Sequence, residues 1–316
     1  MARLPLVSPL DRALFLKAQP YFGGLPPNLL ALLASHGEEA FFPAGSFIRR
    51  ADDPIDTIHF FGSGRLAVEH VFEDGRAHFE IEPPGAIGLA DHLARTPAPP
   101  AARALVDTFC LTLSTTDLDQ ILEDHFPLVH TIARASCDSI VEARKALAMA
   151  RSDEPGFDAA DRIDTPIVLD LVQRLARARR APLLEGTNLT LLAELIRLDE
   201  PETIAPGEPV WSEGDPIDRM TLILDGRFRT NGRFGTAFAG AGAMLGGFEI
   251  AATGPRFEGW VAEVPSRILS IDRELFVDLL EDHFEFAQAY LRRLSEQVAL
   301  GVRARARLSL EKDRMR

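Results

Sequence analysis

The chain has 316 residues, 46% hydrophobic and 26% charged, with 34 basic against 47 acidic side chains and a formal net charge of −13. These proportions fit a globular protein of two ordinary domains and exclude a disordered or fibrous chain. The acidic balance argues against a nucleic-acid binder and against general adhesion to an anionic membrane, since both need clustered Lys and Arg.

At the N-terminus, MARLPLVSPLDRALF lacks a charged region followed by a long apolar core, so no signal peptide is expected. No apolar run is long enough to span a bilayer, and Cys110 and Cys137 have neither metal-ligand spacing nor a disulfide framework. A cytoplasmic protein without membrane insertion is the expectation. Ser8-Pro9 reads as an N-cap and first helical position, and Leu29 to Ala34 as a short helix after a turn. Phe41-Phe42 and Ile58 to Phe61 read as strands. Asp74-Gly75 is a two-residue hairpin signal between strands 65–72 and 76–82, pairing 70 with 79 and 71 with 78. A helix is expected over 127–150. The stretch ARSDEPGFDAADRID, Ala150 to Asp164, is acidic with a Pro-Gly break, which sets the domains at 1–152 and 153–316. Thr165-Pro166 opens the second half as Ser8-Pro9 opens the first. Leu191 to Ile196 reads as helix and Met220 to Leu224 as strand. Asn231-Gly232 is a hairpin turn between 227–230 and 233–238, and a helix is expected over 284–310.

The two halves repeat each other. PAGSFIRRADDPIDTIHFFGSGR from Pro43 aligns without gaps to APGEPVWSEGDPIDRMTLILDGR from Ala205. Gly45 meets Gly207, Asp53-Pro54-Ile55-Asp56 meets Asp215-Pro216-Ile217-Asp218, and Gly64 meets Gly226. The register runs back to Pro20 and Pro182, and to Gly24 and Gly186. Beyond Gly64 the first copy carries four more residues, after which Gly88 meets Gly246, Pro97 meets Pro255, and LEDHF at Leu122 meets LEDHF at Leu280. Ordered identities over more than a hundred residues mark a duplicated domain.

The later part of each copy bears on function. Gly246 to Val264 reads GGFEIAATGPRFEGWVAEV, where glycines let backbone N–H groups approach an anion and Arg256 offers a planar fork for phosphate. The twin, Gly88 to Val106, reads GLADHLARTPAPPAARALV and has Ala98 at the matching position. Together with the Gly214 to Asp218 run and Gly226, these residues resemble the cyclic nucleotide-binding domain family. That is the β-roll shared by the catabolite activator protein and the regulatory subunit of protein kinase A. The resemblance implies a mainly β fold with flanking helices: two tandem jelly rolls, each with N-terminal helices, a phosphate-binding cassette and a C-terminal lid helix.

The family cassette runs Phe-Gly-Glu and then Pro-Arg-Ser/Thr-Ala, with the glutamate on the ribose 2′-hydroxyl and the arginine on the phosphate. Here the second copy has Leu245-Gly246-Gly247 and Pro255-Arg256-Phe257-Glu258. Glycine and arginine match. The glutamate position is Gly247, with Glu249 two residues on, while Phe257 and Glu258 replace the small residues. The first copy, Ile87-Gly88-Leu89 with Pro97-Ala98-Pro99-Pro100, lacks both functional side chains, leaving Arg95 and Arg103 as distant substitutes. A charge-assisted hydrogen bond contributes about 1.5–3 kcal/mol, so losing the arginine costs roughly 10–150-fold in affinity. No ordinary cyclic-nucleotide binding is expected there. The second domain is where a cyclic mononucleotide (cyclic AMP or cyclic GMP) would sit, on Gly246, Gly247, Glu249, Arg256 and Phe257, with Tyr290 or Leu291 of the lid over the base.

No His-x-His pair, serine-nucleophile motif or Walker loop is present, so an enzyme is not expected. His70 and His78 flank a hairpin turn but alternate to opposite faces. His125 and His283 repeat at the entry to each terminal helix and read as structural. Only about thirty residues follow Phe284 and they read as one helix, so no helix-turn-helix is expected within them. Arg303 to Arg316 holds six basic and two acidic residues, either a solvated helix end or a dock for an acidic partner. Leu291, Leu294 and Val298 form an apolar stripe that packs on its own domain or joins two copies into a homodimer. Two functional readings remain: a regulator whose second domain senses a cyclic nucleotide, or a pseudo-receptor whose β-rolls serve as a protein-interaction scaffold. The partner is unspecified in both.

Overall fold

The computed structural model describes residues 8–51, 53–149, 171–184, 187–197, 200–231 and 236–314. The acidic linker, Thr165-Pro166, Gly186 and Gly232 lie outside them. The chain divides into two compact units, Met1–Ser136 with Leu294–Arg316, and Cys137–Arg293. The far parts of two long helices are assigned to the other unit, and the division expected between 152 and 153 lies outside the described residues.

In the first unit, α1 (Pro9–Lys17) starts at Ser8-Pro9, where Ser8 and Asp11 form a reciprocal capping box. Helix α2 (Pro27–His36) buries Leu29, Leu30, Leu33 and Ala34. Strands β1 (Glu38–Phe42), β2 (Phe47–Arg49), β3 (Thr57–Phe61), β4 (Leu66–Phe72), β5 (Gly75–Ile81) and β6 (Gly85–Ile87) follow. A short helix α3 (Leu89–Leu93) precedes β7 (Ala101–Ala104) and β8 (Thr108–Ser114), and α4 (Thr115–Asp124) leads into α5 (Phe126–Met149). The strands form two antiparallel sheets, β1-β8-β3-β6 and β2-β7-β4-β5. Alternation turns Phe61, Leu66, Val68, Ile87, Ala102, Ala104 and Cys110 inward between them, which makes the core of a jelly roll.

The hairpin register differs from the one the Asp74-Gly75 signal implies. Phe72 pairs with Gly75 and Glu69 with His78, so the two-residue turn is Glu73-Asp74 and Gly75 opens β5. The slip preserves the parity of the strand, so His70 and His78 still point to opposite faces.

The second unit contains the end of α5 from Cys137, then α6 (Leu171–Ala178), a 3₁₀ turn (Pro182–Leu184) and α7 (Leu189–Arg197). Its strands are β9 (Glu202–Ile204), β10 (Pro209–Trp211), β11 (Arg219–Asp225), β12 (Arg227–Asn231), β13 (Phe238–Gly240), β14 (Met244–Leu245), β15 (Gly259–Ala262) and β16 (Ser266–Asp272). Helices α8 (Arg273–Asp282) and α9 (Phe284–Arg314) close the chain. The sheets, β14-β11-β16-β9 and β10-β15-β12-β13, enclose Val210, Trp211, Ile223, Phe228, Leu245 and Ile268. The register of the described strands does not match a two-residue turn at Asn231-Gly232. Arg227 pairs with Gly240 and Arg229 with Phe238, and Thr230 N–H donates to the Ala237 carbonyl, so the second strand starts at Phe238 after a longer connection.

Equivalent positions do equivalent work. Gly45 and Gly207 both have φ +84° and donate to the carbonyls of Ala104 and Ala262. The Asp56 and Asp218 carbonyls accept from the first residues of α4 and α8, Thr115 and Arg273. His125 and His283 end those helices with near-identical backbone angles, and their carbonyls accept the first bonds of α5 and α9. Their repetition is thus a backbone matter.

The far half of α9 belongs to the first unit. There Arg303 and Arg307 stack on Phe72, Arg305 stacks on Phe79, and Arg307 pairs with Asp74. Three of the tail's basic residues therefore cover the β4–β5 hairpin. In the stripe, Leu291 and Leu294 are buried within the chain and Val298 is half-buried. No helix among the described residues is long and apolar enough to cross a membrane.

Gly226 has φ +102°, and a Cβ there would lie 2.0 Å from the Ser266 Oγ. Gly207, at φ +84°, has open space around it. Both resist a side chain through backbone strain, but only the first adds a collision. Gly226→Ala is expected to cost about 2–4 kcal/mol and Gly207→Ala about 1 kcal/mol, read as midpoint shifts in urea unfolding. Equal losses would contradict this assignment.

Candidate functional site

The second cassette is built where β14 ends. Gly246, at φ +75°, turns the chain so that Glu249 N–H donates to its carbonyl and Ala252 N–H to that of Glu249. The Gly214 to Asp218 run is tied to it by the backbone: Arg256 N–H donates to Asp215 O (2.8 Å) and Gly214 N–H to Arg256 O (2.9 Å). These bonds fix Arg256 with its side chain pointing inward, fully shielded from solvent.

The guanidinium meets four groups. Its Nη1 donates to Glu249 Oε1 at 2.7 Å, Nη2 donates to the Arg219 carbonyl, and Asp218 lies 3.9 Å away. Its carbon sits 3.8 Å from the centre of the Trp211 ring. Trp211 is aimed there by a bulge between Pro209 and Trp211 where β10 pairs with β15. Glycine is required at 246 for a second reason: a Cβ would lie 2.6 Å from Arg256 Nη1.

Glu249 is therefore not free to hold a sugar. It is buried, and its carboxylate stands against the cation that the resemblance assigns to phosphate. Gly247 faces protein as well: a Cβ there would meet Leu183 at 2.6 Å and Met244 at 3.0 Å. Its carbonyl accepts from the Tyr290 hydroxyl at 3.2 Å. Tyr290 is wholly buried, edge-on to Phe276 and 3.5 Å from Cys137 Sγ, so it clamps the cassette instead of facing a base. Burial pushes its hydroxyl well above the usual phenol range and pushes the Cys137 thiol up to about 12, so neither ionises near neutrality. Leu291 is buried beside it.

Two cavities border the cassette. One, of about 30 Å³, is lined by Gly246, Gly247, Phe248, Glu249, Glu258 and Arg144, and has room for about one water. Ligand sites usually need about 300 Å³ or more. The other, about 550 Å³, is bordered by Pro255, Arg256 and Phe257 together with Asp138, Glu142, Glu213 and Lys145. Asp138 accepts from Thr253 N–H and Oγ1, and Arg144 approaches Glu258 at 4.0 Å, so the end of α5 is fastened to the cassette. Burial, opposed by Arg144, lifts the Glu258 carboxyl from 4.5 to about 7.

In the first copy Gly88 keeps its left-handed turn, at φ +96°, while Leu89 is buried in α3. Arg95 is exposed, and Arg103 donates to the Gly45 carbonyl and stacks on Phe47, so neither enters the cassette. The cation comes from elsewhere. Arg49 on β2 donates from Nη2 to Asp91 at 2.7 Å and to the Pro100 carbonyl at 3.0 Å, and is 8% exposed. The alignment places Arg49 opposite Trp211 and Asp91 opposite Glu249. Both copies thus neutralise the same acid, one from the cassette and one from a bulged strand. Sequence reasoning missed Arg49 because it lies outside the cassette, 42 residues before Asp91. Among the described residues no cluster of three or more His, Cys, Asp or Glu could hold a metal.

A family model described as "Cyclic nucleotide-binding domain" matches residues 39–125 and 201–283, more than half of the chain. The chain is similar to a CRP-like cAMP-activated global transcriptional regulator of Mycobacterium tuberculosis, 26% identical over 125 residues, which is 38% of this chain and 56% of that protein. It thus spans about half the length of that relative. Among solved structures it is similar to the regulatory domain of Toxoplasma gondii PKA with cAMP (12% identity, 93% of this chain and 99% of the other, TM-score 0.35). It is likewise similar to the regulatory subunit of a cAMP-independent protein kinase A from Trypanosoma brucei (14% identity, 95% and 91%, TM-score 0.33).

Because Glu258 binds its proton more tightly when folded, its stabilising contribution is complete below pH 4.5 and is lost as pH rises through about 7. Glu258→Gln should match the parent at pH 5 and melt several degrees higher at pH 8, roughly 1–3 kcal/mol, by calorimetry. An unchanged slope between these pH values would refute a buried, proton-binding Glu258.

Proposed function

The chain belongs to the cyclic nucleotide-binding domain family, and from that premise we propose that it is a non-catalytic regulatory protein whose second domain is a self-occupied pseudo-receptor. The observation that carries this reading is the buried pair between Arg256 and Glu249 at 2.7 Å. A cyclic phosphate that pairs with Arg256 Nη1 must displace Glu249 from it. Separating a buried ion pair costs about 3–5 kcal/mol, which weakens a competing ligand by roughly two to three and a half orders of magnitude. The nearby cavity of about 30 Å³ offers no room for the sugar and base, and Tyr290 is committed to the Gly247 carbonyl. On this reading the second β-roll acts through its surface on a protein partner, as an adaptor or scaffold.

The sensor reading retains one supporting observation: the Arg256 guanidinium lies against Gly246, so the cation and the glycine turn share one place in the cassette. Titration calorimetry with cyclic AMP and cyclic GMP separates the two. The expected result is no Arg256-dependent binding to the parent below about 1 mM, and a gain of binding in Glu249→Gln, which releases the guanidinium. Micromolar binding to the parent that disappears in Arg256→Gln would overturn the pseudo-receptor assignment.

A further inference from the structure

The β4–β5 hairpin of the first unit has a face whose chemistry suits arginine. Val68 is a core residue, Phe79 lies opposite it, and Phe72 follows it by four along β4, so both rings point to the inward side. Both are half-buried. Residues 66–82 also carry Glu69, Glu73, Asp74, Glu80 and Glu82 against Arg76. Aromatic faces beside carboxylates fit a guanidinium, whose plane stacks on a ring while its fork meets an acid.

The chain displays this fit with its own α9, in the same unit. Arg303 and Arg307 stand 4.8 and 5.2 Å from the centre of the Phe72 ring, and Arg305 stands 5.0 Å from that of Phe79. Arg307 also pairs with Asp74. These contacts are of an exchangeable kind. Arg303 and Arg305 remain exposed, and the Arg307 and Asp74 side chains keep 29% and 35% of their surface. Exposed pairs are individually weak and are screened by salt. Glu311, one turn on, already accepts from Arg307 Nε at 3.2 Å, so this arginine has a second acid when it leaves the hairpin. Tethering is what keeps the tail in place, at an effective concentration of about millimolar.

We propose that the β4–β5 hairpin is a docking site for an arginine-bearing segment of a protein partner, and that the end of α9 occupies it in cis until such a segment displaces it. The hairpin lies in the first unit, so the site stands whether or not the second cassette binds a nucleotide. Arginine is the side chain it selects. Lysine, a point charge without a planar fork, meets Asp74 but stacks less well on Phe72 and Phe79.

The test uses the full chain and a fluorescent peptide with the sequence of residues 299–316, followed by anisotropy. Arg303→Gln/Arg305→Gln/Arg307→Gln keeps good helix formers while removing the three cations, and should bind the peptide with a Kd of about 1–100 μM. The parent, whose own tail competes, should bind at least about tenfold more weakly. Adding Asp74→Asn or Phe72→Leu to the triple variant should weaken binding at least about fivefold, as should lysine in place of the three arginines in the peptide. Circular dichroism checks each variant's fold. If the triple variant does not fold, the parent decides: excess peptide should speed amide hydrogen exchange over residues 303–310, and unchanged exchange would count against the site. No binding to a folded triple variant, equal binding to the parent, or binding indifferent to both Asp74 and Phe72 would overturn it. So would a parent that binds polyglutamate and ignores the arginine peptide, since the partner's site would then be α9 itself.

Discussion

The pairing of Arg256 with Glu249 is the constraint on which the second unit's cassette depends. A guanidinium excluded from water must find partners for its charge and its N–H groups, or the fold loses several kcal/mol. Four separate pieces of chain supply them: the bulged strand that brings Trp211, the start of β11 that brings the Arg219 carbonyl, the run ending at Asp218, and the turn carrying Glu249. Glycine at 246 is the room this cation needs. The features that look like a ligand cradle in sequence are here the conditions for burying a protein-borne ion pair.

Much of the fold was legible because duplication prints each structural requirement twice. Gly64 and Gly226 read as turn glycines, and the structure shows the reason: each is left-handed and faces a hydroxyl residue, Thr108 or Ser266. The hairpins were less legible. Asp74-Gly75 and Asn231-Gly232 carry the local signal for a tight turn, but the turn lies at Glu73-Asp74 in one copy, and in the other Arg229 pairs with Phe238, a register that a two-residue turn at 231–232 would not give. Pairing across the sheet outweighs a dipeptide preference.

The site was legible as a location and illegible as an arrangement. Arg256, Gly246 and Glu249 were all visible as candidates, yet their spacing could not say that the acid and the base would find each other. Tyr290 was readable as a lid aromatic, while its burial against Phe276 and its bond to Gly247 depend on how α9 lies in its unit. Arg49 was hidden for a different reason: it sits forty-two residues before its partner Asp91, on another element, and becomes notable only beside Trp211 in the twin.

The rewired cation has a consequence for how the two copies can change. The acid has kept its place in both cassettes, while its counterion has moved from cassette to strand in one of them. Transplanting the second cassette into the first roll would bring two arginines to one acid. The reverse transplant would bring Asp91 and Ala98 to a roll offering only Trp211, stranding a carboxylate. Related by descent and alike in outline, the cassettes are no longer exchangeable parts. A gene conversion between the halves would therefore be selected against, which helps duplicated domains to stay different once they have begun to diverge.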